Sequence, residues 1–379
     1  MPLKQARSDA VGGGRALGYR PALDGVRGIA IALVVGFHAF GWPGAGTLGV
    51  DLFFVLSGFL ITAILIEEHG RTGTISIRGF YGRRARRLLP ALFAMLTPYL
   101  LLAGFALLVG QGSTVFLALA GALTYTSNII VAVDPSAVPA GLIHLWSLAA
   151  EEQFYLIWPL LLLSLLRFGI RGVGRWLGVL LAVALVYRLV LLTRGASFER
   201  IYYGPDTHAD PLLVGCLFGC WFKYGRTPRM IATSRARGLV GGAALAVIVA
   251  AAVLLDHVPQ RLVYFTQLPT LFAVSAGVLI VCAALGESAV ARALNARPLA
   301  FLGRISYSLY LWHLPLLVVF GVHRHFGVRG IAAITISLAA AIASRYLVEL
   351  PFMRRGATQR PETGSQLARK PPPAVAPAG

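Results

Sequence analysis

Charge is what this chain has least of. Only 13% of its 379 residues are Asp, Glu, Lys or Arg, and just 15 are acidic. Ordinary soluble domains carry about 25% charged residues, so a water-soluble globular enzyme is excluded. Cysteine is scarce too: Cys216, Cys220 and Cys282 all lie within apolar runs, which argues against a disulfide framework and a metal site. No internal repeat stands out, against a solenoid or array. No apolar segment near the N-terminus ends in a signal-peptide cleavage pattern.

What is present is hydrophobic. The chain is 57% apolar, with a mean hydropathy of +0.73. These values predict an all-α, polytopic membrane helix bundle whose partner is a lipid bilayer. Apolar runs suited to crossing lie at 24–42, 48–66, 88–110, 147–166, 174–193, 209–224, 238–256, 266–285, 299–321 and 330–350. The net charge of +19 does not indicate a nucleic-acid partner, because the arginines cluster in short loops between apolar runs and act there as topology signals. Ten crossings with both termini in the cytoplasm place the Arg71–Arg87, Arg167–Arg175 and Lys223–Arg237 clusters inside. An eleventh crossing at 114–133 would put the last two outside. The stretch 111–146 is therefore expected to be an outer excursion with a candidate re-entrant segment, tolerable at membrane depth only where protein covers its backbone. The expected layout is a polar cytoplasmic N-terminus over 1–19, a membrane domain over 20–355 and a Pro- and Ala-rich disordered cytoplasmic tail over 356–379.

Arg27 and His38 interrupt the first apolar run. Eleven helical steps return to nearly the same face, about 16 Å further along the axis. Ionisable groups at membrane depth are costly and face a bundle interior or a wet cavity.

Further motifs follow in order: GVDLFFVLSGFLIT (Gly49–Thr62), YGRRARRLLPAL (Tyr81–Leu92), HLWSLAAEEQFYLIWP (His144–Pro159), DTHADPLLVG (Asp206–Gly215), LGRISYSLYLWHLP (Leu302–Pro315) and VELPF (Val348–Phe352). With Arg27-x10-His38 they closely resemble the membrane acyltransferase-3 family over about residues 19–355. The resemblance implies transfer of an acyl group, commonly acetyl, from coenzyme A to a hydroxyl of a glycan, lipid or small-molecule acceptor. Acyl-CoA would be a cosubstrate, with no permanently bound cofactor and no metal. The chain resembles the stand-alone members that lack a C-terminal esterase-like domain. A multi-pass transporter or flippase of a polar lipid or sugar is the alternative, since buried charges and many spans suit transport as well.

The resemblance implies that His38 is catalytic, and imidazole suits a base that removes a hydroxyl proton; an acyl-His intermediate is a variant. Arg27 cannot be a base but can stabilise oxyanion charge, orient a carboxylate or bind part of coenzyme A. Arg83, Arg84, Arg86 and Arg87 suit the coenzyme's phosphates, with Arg83 and Arg87 sharing a helix face if the segment is helical. Glu151 is the acid that the resemblance marks as functional, pairing with an arginine or orienting the acceptor, and Tyr155 is its i,i+4 neighbour. Asp51 either orients His38 or caps its helix. Asp206, His208 and Asp210 read as an outer loop; most family members carry Arg in place of His208, and an acid pair made by His is weaker and pH-sensitive. Arg345 and Glu349 form an i,i+4 pair in the last span. Ser306, Tyr310 and His313 form a polar stripe that should face the bundle.

Overall fold

Apolar runs of about twenty residues satisfy their own backbone only as helices once they leave water, and helices are what the chain forms. The computed structural model describes residues 15–108, 113–225, 227–322 and 327–355, and among them no strand occurs. The tail expected over 356–379 and most of the N-terminal stretch expected over 1–19 lie outside the described residues.

The first half comprises α1 (Pro21–Phe40), α2 (Leu48–Thr72), α3 (Ile77–Leu108), α4 (Ser113–Leu123), α5 (Ser127–Val133), α6 (Leu145–Leu166) and α7 (Gly169–Thr193). The second half comprises α8 (Phe198–Tyr203), α9 (Asp210–Tyr224), α10 (Ser234–Leu254), α11 (Gln260–Tyr264), α12 (Leu268–Leu285), α13 (Ala289–Leu294), α14 (Arg297–Arg304), α15 (Ser306–Val319) and α16 (Val328–Ala343), which continues through a π-turn segment (Ser344–Glu349) into α17 (Leu350–Arg355). Seven helices among the described residues are long and apolar enough to cross a membrane: α1, α2, α6, α7, α10, α12 and the continuous segment Val328–Arg354.

The other three expected spans take different forms. The run expected at 88–110 is, as far as Leu108, the distal part of the 32-residue helix α3, whose first turns carry the arginines. Helix α9 has only 15 residues. It is buried along α2, where protein rather than lipid surrounds it. The run at 299–321 is not one helix: it breaks at Ile305 into α14 and α15. Helix α14 docks against α1 so closely that a Cβ on Gly303 would lie 1.8 Å from the Asp24 carbonyl oxygen.

Two glycines set the central helix pair. A Cβ on Gly58 of α2 would come within 2.1 Å of the Leu212 carbonyl oxygen, and one on Gly215 of α9 within 2.1 Å of that of Val55. Only hydrogen at both positions lets the backbones approach, the small-residue packing that membrane helices use.

Helices α4 and α5 have 11 and 7 residues. At about 1.5 Å per residue neither crosses a core about 30 Å thick. They form a hairpin whose turn holds Tyr125 at φ 53°. The tip reaches the third turn of α6: the Gln153 side-chain amide donates to the Tyr125 carbonyl at 2.7 Å and pairs with the Asn128 amide. Such side-chain bonds satisfy the backbone that a broken hairpin leaves open.

Candidate active site

A cavity of about 740 Å³, counting its mouth, lies between α1, α2, α3, α6 and α15. Its lining includes Arg27, Arg84, Arg87, Glu151, Ser147 and Tyr310. Three guanidinium groups thus share the wall with one carboxylate. Arg84 lies flat on the Tyr155 ring, its guanidinium carbon 3.3 Å from the centroid, and is bound by Glu152. Arg27 has only a loose partner, Asp24 at 3.8 Å. Arg87 projects into the open space and forms no ion pair with a carboxylate among the described residues.

The arginine cluster divides by what each side chain reaches. Arg84 and Arg87 line the cavity, although 83 and 87, four residues apart, also share a helix face. Arg83 is half exposed and meets Glu68 at 3.4 Å. Arg86 lines neither this cavity nor its neighbour. Of the four arginines expected at the coenzyme, the cavity is lined by Arg84 and Arg87. Among the described residues Glu151 forms no ion pair with an arginine. It accepts from the Ser57 hydroxyl and from the Tyr155 hydroxyl at 2.8 Å, while its neighbour Glu152 takes Arg84. A second cavity, lined by Tyr81, Leu89, Tyr125 and Leu156 among others, lies on the far side of the Arg84–Glu152 pair.

His38 is not among the residues lining the basic cavity. It belongs to a file of imidazoles behind the Tyr310 wall. The His38 and His313 ring centroids are 5.2 Å apart, and those of His313 and His144 are 5.3 Å apart. His38 Nδ1 lies 2.9 Å from the Val34 carbonyl oxygen. A carbonyl only accepts, so Nδ1 holds the proton and Nε2 carries the lone pair, the tautomer a base requires. Arg27 and His38 thus share α1 but serve different compartments.

Asp51 does not orient His38. It is buried among aromatic rings and accepts from His208 Nε2 at 2.9 Å and from the Tyr264 hydroxyl at 2.7 Å. The DTHADP residues diverge. Asp206 takes both arms of Arg200 near the surface, and His208 takes Asp51. Asp210 takes Arg188 at 3.1 Å in a fully buried pair completed by Thr270. Partial burial pushes the Asp206 carboxyl up, but the Arg200 grip outweighs it and holds the group below its ordinary value. Arg345 and Glu349 pair at 2.7 Å in the π-turn, and Ser308 of α15 also donates to Glu349. Ser57, Ser147 and Tyr307 line the cavity without a sequence signal of their own. Arg188 had one: a lone arginine inside an apolar run requires a buried partner.

The acyltransferase domain model of the acyltransferase-3 family matches residues 20–348. Curated relatives agree. The chain is 30% identical over 312 residues to the peptidoglycan O-acetyltransferase OatA of Listeria monocytogenes, covering 79% of this chain and 50% of that protein. It is 32% identical over 375 residues to the O-acetyltransferase OatA of Staphylococcus aureus (strain MRSA252), covering 93% of this chain and 60% of that one. YrhL of Bacillus subtilis is 33% identical over 318 residues, covering 79% of this chain and 49% of YrhL. The chain thus spans about half to three-fifths of the length of these relatives. No solved structure matches. A family model that runs through nearly all of the helical bundle, cavity and imidazole file included, establishes that the chain belongs to the acyltransferase-3 family of membrane proteins.

Proposed function

We propose that this chain is an integral membrane O-acyltransferase that moves an acetyl group from acetyl-CoA to a glycan hydroxyl. The observation that carries the reading is the excess of guanidinium groups in a cavity whose Tyr310 wall backs onto His313, the ring next to His38. Guanidinium forks suit phosphate oxygens bidentately, and coenzyme A carries a pyrophosphate and a 3′-phosphate. Arg84 and Arg87 grip the phosphates from α3, and Arg27 adds charge from α1. The thioester extends from there towards the Tyr310 wall.

His38 Nε2 removes the proton of the acceptor hydroxyl as its oxygen attacks the thioester carbonyl. The C–S bond breaks, the C–O bond forms, and the released thiolate regains a proton. Positive-inside bias supports donor entry from the cytoplasm, because Arg84 and Arg87 adjoin the arginine-rich loop after α2, while His38 lies near the opposite end of α1. The names of the listerial and staphylococcal relatives support acetyl as the acyl group, and the listerial name supports a cell-wall glycan as the acceptor.

The test is thiol release by the purified protein in nanodiscs, given acetyl-CoA and a peptidoglycan-fragment acceptor. Wild type should release coenzyme A and acetylate the fragment, and His38→Gln should lose both while still binding acetyl-CoA. Acceptor passage across the bilayer of sealed proteoliposomes, with no thiol release, would favour a transporter and sink the enzymatic reading.

A further inference from the structure

Arg84 stands in the wall between two cavities. With Leu88 and Tyr155 it lines both the basic cavity and the second one, which measures about 710 Å³ counting its mouth. The adjacent acids divide between them: Glu151 lines the first and Glu152 the second. The chemistry of the second cavity is different. Its lining has one guanidinium, that of Arg84, and Glu152 holds it through Nε and Nη2. Positive charge is balanced there, and a phosphate would meet a carboxylate. Rings and aliphatic side chains make most of the wall, with Glu152, Gln153 and Thr124 set among them. The Tyr81 hydroxyl donates to the Leu156 carbonyl at 2.6 Å, and the Gln153 amide donates to the Tyr125 carbonyl, so both tyrosines are tied to α6. A hydrocarbon tail would leave the polar groups of this wall without a partner. A flat heterocycle with polar edges suits it better. Rings stack on its faces, and a carboxylate accepts from an exocyclic amino group. An ionised carboxylate offers about four lone-pair sites, more than Arg84 uses.

We propose that the second cavity receives the adenine ring of acetyl-CoA, and that the coenzyme spans both cavities across Arg84. This rests on the acyltransferase reading above. Along the coenzyme the order of groups is thioester, pantetheine arm, phosphates and base. Along the protein the order of surfaces is the Tyr310 wall, the arginines and then the second cavity. The two orders match. The phosphates meet Arg27, Arg84 and Arg87, and the base lies beyond Arg84 among the rings. Its exocyclic amino group donates to Glu152. That carboxylate then has two tasks: it holds Arg84 in the wall and it reads the base. A donor without adenosine leaves the second cavity unused.

The test compares two donors, using the full chain in nanodiscs and the peptidoglycan-fragment acceptor. One is acetyl-CoA. The other is acetyl-4′-phosphopantetheine, which has the same thioester and arm but no adenosine. Ala85 of α3 and Thr124 of the hairpin tip line the second cavity and not the first, and both are exposed. Ala85→Phe and Thr124→Trp fill it from two different elements, with melting temperature as the control for folding. If one variant misfolds, the other still decides. Each should raise the acetyl-CoA KM roughly 10- to 100-fold, the range of one lost base stack, with kcat retained. The KM of acetyl-4′-phosphopantetheine should not move. An unchanged acetyl-CoA KM in a folded variant would overturn the inference and leave the cavity to a lipid chain. An equal rise for both donors would overturn it too, because the added side chain would then be disturbing the shared arginine wall. Wild type that uses both donors equally well refutes the adenine site alone. Wild type that transfers from neither refutes the acyltransferase reading itself.

Discussion

Two polar clusters flank the N-terminal half of α2, and Phe54 stands between them, lining the cavity on one side and meeting the His208 ring on the other. In the Asp51 nest, the carboxylate receives His208 and Tyr264, His208 Nδ1 bonds the Tyr202 carbonyl at 2.7 Å, and Trp146, Tyr202 and Tyr264 close over the imidazole. In the cavity, among the described residues, Arg87 has no carboxylate and Arg27 only a loose one, so positive charge is in excess. Both clusters are charged and enclosed by helices, but one is complete and the other is not. A saturated network rigidifies the bundle, whereas an unsaturated one is completed by a ligand. Polar satisfaction separates scaffold from site where residue type alone does not.

The sharpest way to break this contrast is to remove Asp51. Asp51→Ala strands the His208 and Tyr264 donors in a closed nest, at about 1–3 kcal/mol for each buried group left without a partner. The melting temperature should fall clearly, with residual activity following the folded fraction. A variant that melts like wild type yet has lost acetyl transfer would move Asp51 from the scaffold to the site.

Arg87→Ala should do the reverse. Hydrogen bonds to charged groups contribute about 1.5–3 kcal/mol, so the acetyl-CoA KM should rise roughly 10- to 100-fold with little change in kcat or melting temperature. Arg87→Lys should recover only part of this, because the fork is lost. Unchanged donor affinity would leave Arg87 as a topology signal alone. Arg83→Ala is the internal control: an exposed ion pair contributes about 0–1 kcal/mol, so donor KM and stability should both stay near wild type. A rise in KM equal to that of Arg87→Ala would overturn the division of the cluster between cavity and surface.

The smallest effect is expected at Asp206, whose grip by Arg200 lies near the surface. Asp206→Asn should cost less than about 1 kcal/mol. The sign with pH follows from the lowered carboxyl. The contribution is present above the unfolded value of about 3.9 and fades as pH falls through the lower folded value, so thermal melts of wild type and variant should converge towards acid. A difference that grows on acidification would contradict the Arg200 pairing.

Much of the architecture was legible in the chain. Long apolar runs with arginine-rich loops lead to a helical bundle because lipid leaves the backbone few other options. The short excursion was legible as well, because a full span there would have put two basic clusters on the wrong side. The split of 299–321 was not. Its hydropathy is continuous, and the break at Ile305 follows from the docking of α14 on α1 at Gly303. Within the site, Arg27, His38 and Glu151 could be singled out, but their partners could not. Glu151 meets Ser57, 94 residues earlier, and His208 meets Asp51, 157 residues away.

Residue order determined that this chain enters a membrane as helices and that a few polar groups lie within them, because hydropathy is a local property read against a fixed bilayer thickness. Only the tertiary structure decided which of those polar groups are saturated and which are not. Arg84 and Arg83 are adjacent, and Glu151 and Glu152 are adjacent, yet a turn of about 100° per residue sends each member of a pair to a different neighbour. What a buried charge does depends on that neighbour, and the neighbour comes from another helix.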